Sequence, residues 1–266
     1  MPPITVTAGT AIDPGLTCVD VEQRDGRPRV SSRNGLLRAQ VVHAPGGWCR
    51  IGLLATTALL LGGDAVELRI RVGPGVRLDL FDVAGTVAFD GRGAAARWST
   101  CVTVQSGADF RWSGQPLVVA DGADVSRTLE LDVAATGRAL VRDTVVLGRT
   151  GESGGRLRTR TSIRCADRLV AVEGQDLDPE LRRLPGVLGD LRVLDTITAV
   201  SETGAFQTRP FGPADEHVSR FELFDGAGTV LRYLGRQLAP SPLHEQWQDL
   251  RDDGWPALGE GRAIGR

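Results

Sequence analysis

The sequence predicts an all-β fold, in which many short antiparallel strands form a layered or solenoid-like sheet with one or two short helices. Apolar and polar residues alternate with a period of two along many stretches, which is typical of strands with one buried face. Glycine-rich turns separate these stretches, and the chain has 34 glycines in 266 residues. A clear helical stripe occurs only near the end. We therefore predict a single β-rich domain over residues 1–266, with a helix near residues 241–253.

The clearest strand pattern runs from Leu61 to Leu80. Apolar residues alternate with charged ones over Val66–Val72, and the alternation resumes over Val76–Leu80. Between these two segments lies Gly73-Pro74-Gly75, where proline fixes one φ and glycine permits a positive φ. We expect the two segments to pair as a hairpin.

The remaining elements follow the same logic. Arg156–Arg164 places Leu157, Thr159, Thr161 and Ile163 on one face and mostly arginines on the other. Residues 225–228 form a glycine turn that predicts a hairpin. Residues 190–200 fit either a helix or a strand, and Pro179 is a possible start of a short helix. Other strands are expected at residues 4–6, 18–21, 36–42, 98–104, 110–119, 125–133, 140–147, 169–172, 221–224 and 230–234.

The tail contains the best helix signal. Ser241 is a suitable N-cap and Pro242 fits the first helical position. An apolar stripe follows at Leu243, Trp247 and Leu250. Together with Trp255 this helix is a candidate docking element, although packing onto the sheet is the more usual role of such a stripe.

Composition excludes several kinds of chemistry. All 31 basic residues other than histidine are arginines, so a Walker phosphate loop, a Schiff base and a lysine general base are excluded. The net charge of -2 gives no reason to expect a nucleic-acid or membrane partner. The first residues lack the basic and apolar segments of a signal peptide, and the four cysteines contain no CxxC pair. We expect a cytoplasmic protein with reduced thiols.

Few residues are candidates for metal binding or catalysis. The three histidines, His43, His217 and His244, are scattered along the chain, which argues against a tight transition-metal site. Four carboxylates are expected at strand ends or turns, where such residues usually cap the turn but can also line a transient path for a cation. They are Asp64, Asp143, Glu152 and Glu173.

One string in the sequence suggests a serine hydrolase. Gly151-Glu152-Ser153-Gly154-Gly155 fits G-x-S-x-G, but a strand follows it where the hydrolase elbow needs a helix. His43 lies upstream, in surroundings unlike those of a trypsin-like histidine. A glycine-rich turn is the simpler interpretation, and a β-sheet hydrolase using Ser153 and His43 is the alternative. A third possibility is a β-rich module that binds some other protein.

The order of three segments resembles the family of the urease accessory protein UreD, also called UreH. The first segment is Leu61-Gly62-Gly63-Asp64 with the alternating residues that follow. The second is PLVVADGADVSRTLELDVAATGRALVRDTVVLGR. The third is Gly148-Arg149 with Glu152, followed by RLRTRTSIR and Asp167-Arg168-Leu169. Two stretches, residues 80–91 and 110–116, depart from the pattern that the family usually shows there.

This resemblance implies a β-rich, non-enzymatic protein that acts in assembling the nickel centre of urease. It implies binding to apo-urease and to the accessory protein UreF, which in turn recruits the GTPase UreG. Nickel would be handled transiently and GTP would be used only by the partner. The motif residues are Gly62, Gly63, Asp64, Gly148, Arg149 and Glu152. Of these, Asp64 and Glu152 are predicted to lie on a transient nickel path, with turn capping as the open alternative.

Overall fold

The computed structural model describes residues 15–44, 48–184, 186–202, 206, 208–211, 217–239 and 241–252. Within these ranges it contains seventeen strands, two short 3₁₀ turns (Leu181–Arg183 and Phe224–Gly226) and one α-helix, α1 (Leu243–Asp252). The strand predicted at residues 4–6 and Trp255 lie outside the described residues. The strands are β1 (Leu16–Arg24), β2 (Arg27–Arg33), β3 (Leu37–His43), β4 (Trp48–Ala55), β5 (Ala65–Val72), β6 (Arg77–Asp82), β7 (Thr86–Ala88), β8 (Ala96–Val104), β9 (Asp109–Ser113), β10 (Leu117–Val119), β11 (Asp124–Val133), β12 (Arg138–Leu147), β13 (Arg156–Cys165), β14 (Arg168–Leu177), β15 (Val193–Ser201), β16 (Val218–Glu222) and β17 (Gly228–Gly235).

The strands form two sheets that face each other, which confirms the all-β prediction. The first sheet has the order β14-β13-β11-β8-β5-β1-β2, and the second has the order β16-β17-β15-β12-β9-β6-β4-β3. The chain crosses from one sheet to the other at each corner. Short strands β7 and β10 pair in parallel, and β10 also pairs in parallel with β12 of the second sheet. The arrangement is a solenoid whose coils are about 30 residues long, since strands of the first sheet begin at residues 65, 96, 124 and 156.

Pairing in the middle of the molecule is parallel, which differs from the predicted antiparallel pattern. β5 pairs with β8, β8 with β11 and β11 with β13, all in parallel. β4, β6, β9 and β12 likewise form a parallel run in the second sheet. Antiparallel pairs occur at the two ends, and one of them is the predicted hairpin of β16 and β17.

The predicted hairpin over Leu61–Leu80 is wrong. β5 and β6 are the expected strands, but they lie in different sheets because Gly73-Pro74-Gly75 bends the chain around a corner. The N–H of Gly73 donates to Val21 at 2.8 Å and that of Gly75 donates to Ser106 at 3.1 Å. These bonds join the corner to the neighbouring coils on both sides. A glycine turn shows that the chain changes direction, but it does not show which strand becomes the partner.

Other boundaries also differ from prediction. Residues 110–119 form two strands, since the chain breaks at residues 114–116 between β9 and β10, and residues 190–200 are mostly strand. Leu181 and Leu184, predicted as one side of a short helix, are both more than half exposed. That segment makes only a single 3₁₀ turn, so it has no apolar stripe to bury.

Apolar side chains fill the N-terminal half of the interior. Inward-facing side chains of both sheets interdigitate there, and Leu68, Leu78, Leu80 and Phe110 have no solvent exposure. They belong to one contiguous apolar cluster. The close packing fixes the separation of the sheets in this half of the solenoid.

Helix α1 covers the outer face of the second sheet. Leu243, Trp247 and Leu250 are buried in a separate apolar cluster with residues of that sheet, which confirms packing as the role of the stripe. Ser241 does not cap the helix through its hydroxyl as predicted. Its Oγ donates instead to Oδ2 of the buried Asp195 at 2.6 Å. In the described part of the chain, no helix has the length and apolar character needed to span a membrane.

Candidate functional site

The first predicted site residue, Asp64, closes a turn at a corner of the solenoid. Its Oδ2 accepts a hydrogen bond from the N–H of Leu61 at 3.0 Å, and its own N–H donates to the Leu61 carbonyl at 3.0 Å. Gly62 in the same turn lies close to the next coil, since a Cβ there would be 2.6 Å from the carbonyl oxygen of Gly91. The motif therefore forms a tight corner, and a nickel role for Asp64 stays a prediction.

The second predicted residue, Glu152, lies in the turn between β12 and β13. Its Oε2 accepts from the N–H groups of Arg149 at 2.9 Å and Asp121 at 3.3 Å, and its Oε1 accepts from Nε of Arg149 at 2.7 Å. The Arg149 guanidinium and these N–H donors lower the pKa of the carboxyl to about 2. Glu152 is a charged turn cap in this structure, and its place on a nickel path also stays a prediction.

A buried arginine holds this corner from the inside. The guanidinium of Arg182 has 4% exposure and donates to the carbonyl oxygens of Gly155 at 2.6 Å and Gly154 at 2.5 Å, and also to that of Ser153. No pattern in the sequence indicates this role for Arg182. Its donors satisfy carbonyl groups of the Gly-rich turn that would otherwise be buried without partners.

The structure corrects the placement of the other two carboxylates. Asp143 lies in the middle of β12 and Glu173 in the middle of β14, whereas both were predicted at strand ends or turns. Both side chains point between the sheets. They line a cleft between the two sheets, whose walls carry both polar and apolar side chains.

The cleft consists of two adjoining cavities. The first has a volume of about 70 Å³ and the second about 90 Å³, and both are lined by Val141, Asp143 and Thr161. Asp143 therefore stands where one cavity meets the other. The first cavity also includes Asp82 and Trp112, which belong to the two stretches that depart from the family pattern.

Strand register arranges the cleft residues in rows. On the second sheet, Asp143 of β12 lies beside Thr196 of β15, which lies beside Arg232 of β17. On the first sheet, Thr161 of β13 lies beside Glu173 of β14. A hydroxyl group thus separates two charged side chains on the second sheet, and another lies beside Glu173 on the first sheet.

Two ion pairs cross the cleft from sheet to sheet. Arg127 of the first sheet donates to Asp143 of the second, with Nη2 to Oδ1 at 3.0 Å and Nη1 to Oδ2 at 3.2 Å. Arg232 of the second sheet donates to Glu173 of the first, with Nη2 to Oε2 at 2.8 Å. Arg232 lowers the pKa of Glu173. The first sheet therefore supplies the arginine in one pair and the carboxylate in the other.

A third carboxylate lies in the first cavity. Asp82 accepts from Nε1 of Trp112 at 3.0 Å and from the N–H of Gln115 at 3.0 Å. Burial is the main cause that raises its pKa to about 6, and the nearby Asp143 raises it further.

The sequence contained a signal for these cleft residues. Two of the charged side chains occupy one inward position in an otherwise apolar row, Asp143 between Val141 and Val145, and Arg127 between Val125 and Leu129. A charge in a period-two apolar row indicates an ionisable group inside the fold. In the described part of the chain, no three His, Cys, Asp or Glu residues cluster closely enough to hold a metal ion.

The structure does not bring the hydrolase candidates together. Ser153 follows β12, whereas His43 ends β3, which lies four strands away in the same sheet. At the usual strand spacing this separation is about 19 Å. The His43 ring instead contacts that of Trp48, with centroids 4.9 Å apart.

Comparison with known proteins shows the class of protein to which this chain is similar. A protein of Streptomyces griseus named urease accessory protein UreD 1 is 44% identical over 210 residues, which cover 76% of this chain and 78% of that protein. The urease accessory protein UreD of Cupriavidus necator is 31% identical over 249 residues, which cover 86% of each chain. A Streptomyces coelicolor protein of the same name is 35% identical over 156 residues, covering 58% of this chain and 59% of that protein. The fold described above is therefore that of a urease accessory protein.

The family is equally clear. The model of the family described as UreD urease accessory protein matches residues 15–256, which include every described element of the fold. The chain belongs to the UreD family.

Proposed function

We propose that this chain is a non-catalytic, cytoplasmic scaffold for the insertion of nickel into apo-urease. It acts in a complex with UreF and, through UreF, with the GTPase UreG. The family and the names of its relatives support a role in urease maturation. Nickel in this proposal is cargo, which the chain handles transiently, and GTP is used by the partner alone, since the sequence has no lysine for a Walker loop.

The observation that carries the nickel part of the proposal is the cleft. The side-chain oxygens of its lining are carboxylates, hydroxyls and the amides of Gln115 and Gln175. Such oxygens are weak ligands for a borderline cation such as Ni²⁺ in comparison with imidazole and thiolate. Loose binding suits a carrier, because a carrier that binds its ion tightly does not release it. Asp82, Asp143 and Glu173 line the cleft in that order from the first cavity to the second.

Complementation in a strain that lacks this gene tests the proposal. The wild-type chain, co-expressed with UreF, UreG and the urease subunits, should elute with UreF or apo-urease and restore nickel-loaded urease. Glu173→Gln and Asp143→Asn should leave co-elution intact but reduce both the nickel content and the activity of urease. Asp176→Asn is the matched control, since this exposed residue of β14 lies on the opposite face from Glu173 and pairs with Arg156.

Three results would overturn parts of the proposal. If neither UreF nor urease co-elutes and urease matures without this chain, the scaffold role is wrong. If both cleft variants restore urease as well as the control does, the cleft is not the nickel route. If a fluorophosphonate probe labels Ser153, the chain is a hydrolase after all.

A further inference from the structure

Two of the three cleft carboxylates, Asp143 and Glu173, are paired with guanidinium groups in the resting protein. Arg127 donates to both oxygens of Asp143, and Arg232 donates to both oxygens of Glu173. A cation that enters the cleft therefore competes with an arginine for the oxygens of these two carboxylates. We call Arg127 and Arg232 the cleft arginines.

Both ion pairs are open to exchange. The side chains of Asp143 and Glu173 are 45% and 40% exposed, and those of Arg127 and Arg232 are 21% and 16% exposed. Pairs that water reaches are stabilised only weakly, because water solvates the separated charges almost as well. Arg232 has two further contacts that do not involve Glu173. Its Nε donates to Thr196 at 3.3 Å, and its guanidinium lies 6.0 Å from the centre of the Phe221 ring. These contacts can keep the arginine side chain in place when its pair with Glu173 opens.

The charge balance favours a cation as the displacing species. Three carboxylates, Asp82, Asp143 and Glu173, face the cleft against the two cleft arginines. Arg142 also borders the first cavity, but its guanidinium is bound to Asp195 on the outer face of the sheet. Arg160 borders this cavity as well, but it is an exposed residue at an outward position of β13. With all three carboxylates ionised, the inward-facing groups therefore carry one net negative charge.

We propose that the cleft arginines compete with the divalent cation for Asp143 and Glu173. This competition keeps the resting affinity of the cleft low and lets the ion move by exchanging places with one guanidinium at a time. The inference rests on the proposed function, because it assigns how the nickel route is regulated. It makes a distinctive prediction, which is that removing a positive charge strengthens metal binding.

Titration of the purified full-length chain with Ni²⁺ alone tests this competition. Arg127→Gln and Arg232→Gln should each raise the affinity for Ni²⁺, by up to about fivefold if the lost pair contributes as much as a partly exposed salt bridge. Arg232→Lys should remain near the wild type because it keeps the charge. Arg158→Gln is the matched control, since Arg158 pairs with Asp124 on the exposed face of the first sheet and should change nothing.

A second comparison keeps the test valid if one variant folds poorly. Circular dichroism identifies such a variant, and the other cleft arginine then gives the result. Adding Asp143→Asn to Arg127→Gln should abolish the gain in affinity, which shows that the freed carboxylate is the ligand. Unchanged or weaker Ni²⁺ binding in the folded Arg→Gln variants would overturn the proposal.

Failure of this inference is distinguishable from failure of the proposed function. If Glu173→Gln impairs urease loading while Arg232→Gln leaves Ni²⁺ affinity unchanged, the route stands and the competition is wrong. If the affinity for Ni²⁺ rises as expected but no cleft variant affects urease loading, the cleft arginines do compete with the ion. The cleft is then not the route by which nickel reaches urease.

Discussion

The ionisation of Asp82 links the cleft to the pH of the solution. Burial raises its pKa from 3.8 to about 6, so the folded chain holds this proton more strongly than the unfolded chain does. The stability that comes from the proton is complete below pH 4 and is lost as the pH rises through 6.

Replacing Asp82 with Asn should remove this pH dependence. Between pH 4 and pH 7 the free energy of unfolding of the wild type should fall by about 2 kcal/mol relative to Asp82→Asn. Asn keeps an oxygen for the N–H of Trp112. Urea unfolding at several pH values measures the difference, and parallel curves for the two proteins would contradict the expectation.

Asp176 provides a control of opposite sign. Its hydrogen bond with Arg156 lowers its pKa, so its contribution is present at neutral pH and is lost as the pH falls below the usual value for Asp. Asp176→Asn should therefore alter the stability curve only at its acid end.

Arg182 carries a second prediction at the scale of one residue. Arg182→Leu leaves the carbonyl groups of Ser153, Gly154 and Gly155 without their donors, and we expect a loss of about 2 to 4 kcal/mol in the free energy of unfolding. The neighbouring Arg183 is exposed, so Arg183→Leu should stay within about 0.5 kcal/mol of the wild type. Equal effects of the two substitutions in urea unfolding would show that the hydrogen bonds of Arg182 to these carbonyl groups make no specific contribution to stability.

At the scale of elements, we expect the packing of helix α1 on the second sheet to be stabilised mainly by its apolar stripe. Trp247 is 3% exposed in the cluster between the helix and the second sheet, and Trp247→Ala should cost about 3 to 4 kcal/mol. Glu245 on the same helix has a side chain that is 78% exposed, so Glu245→Ala should have little effect. Thermal and urea unfolding of both variants test the expectation, which a small loss for Trp247→Ala would contradict.

The positions of most elements could be predicted because each depends on local sequence. Alternation gave the strands at β5, β6, β11 and β13, and the capping pattern gave the start of α1. Partner choice could not be predicted in the same way. Gly73-Pro74-Gly75 is compatible with a hairpin or with a corner, and only the packing of neighbouring coils selects the corner.

The same distinction explains the site predictions. Asp64 and Glu152 were assigned to turns from local signals, and they do lie in turns. Asp143 and Glu173 lie inside strands instead, because an arginine of the opposite sheet pairs with each inward carboxylate. Their ion pairs join residues 16 and 59 positions apart in the sequence, a relation that strand spacing alone does not reveal.

For the whole molecule, the two halves of the solenoid should differ in their opening motions. β8 lies between two paired strands and buries four of its nine residues, whereas β16 is an edge strand with mostly exposed residues. Amide hydrogen exchange should therefore be slow along β8 and much faster along β16. Similar protection of both strands, measured by mass spectrometry of peptides from each, would contradict this picture.

The coil-by-coil pairing also bears on how the chain folds as a ribosome releases it. Each central strand pairs with one about 30 residues away, so the N-terminal coils can stack before the rest of the chain exists. Glu173 and Arg232 come from β14 and β17, which are synthesised later. A nascent chain that stops before β17 can already pair Arg127 with Asp143, but its Glu173 has no guanidinium opposite. The cleft is thus completed late, and Glu173 gains its partner only after β17 has been made.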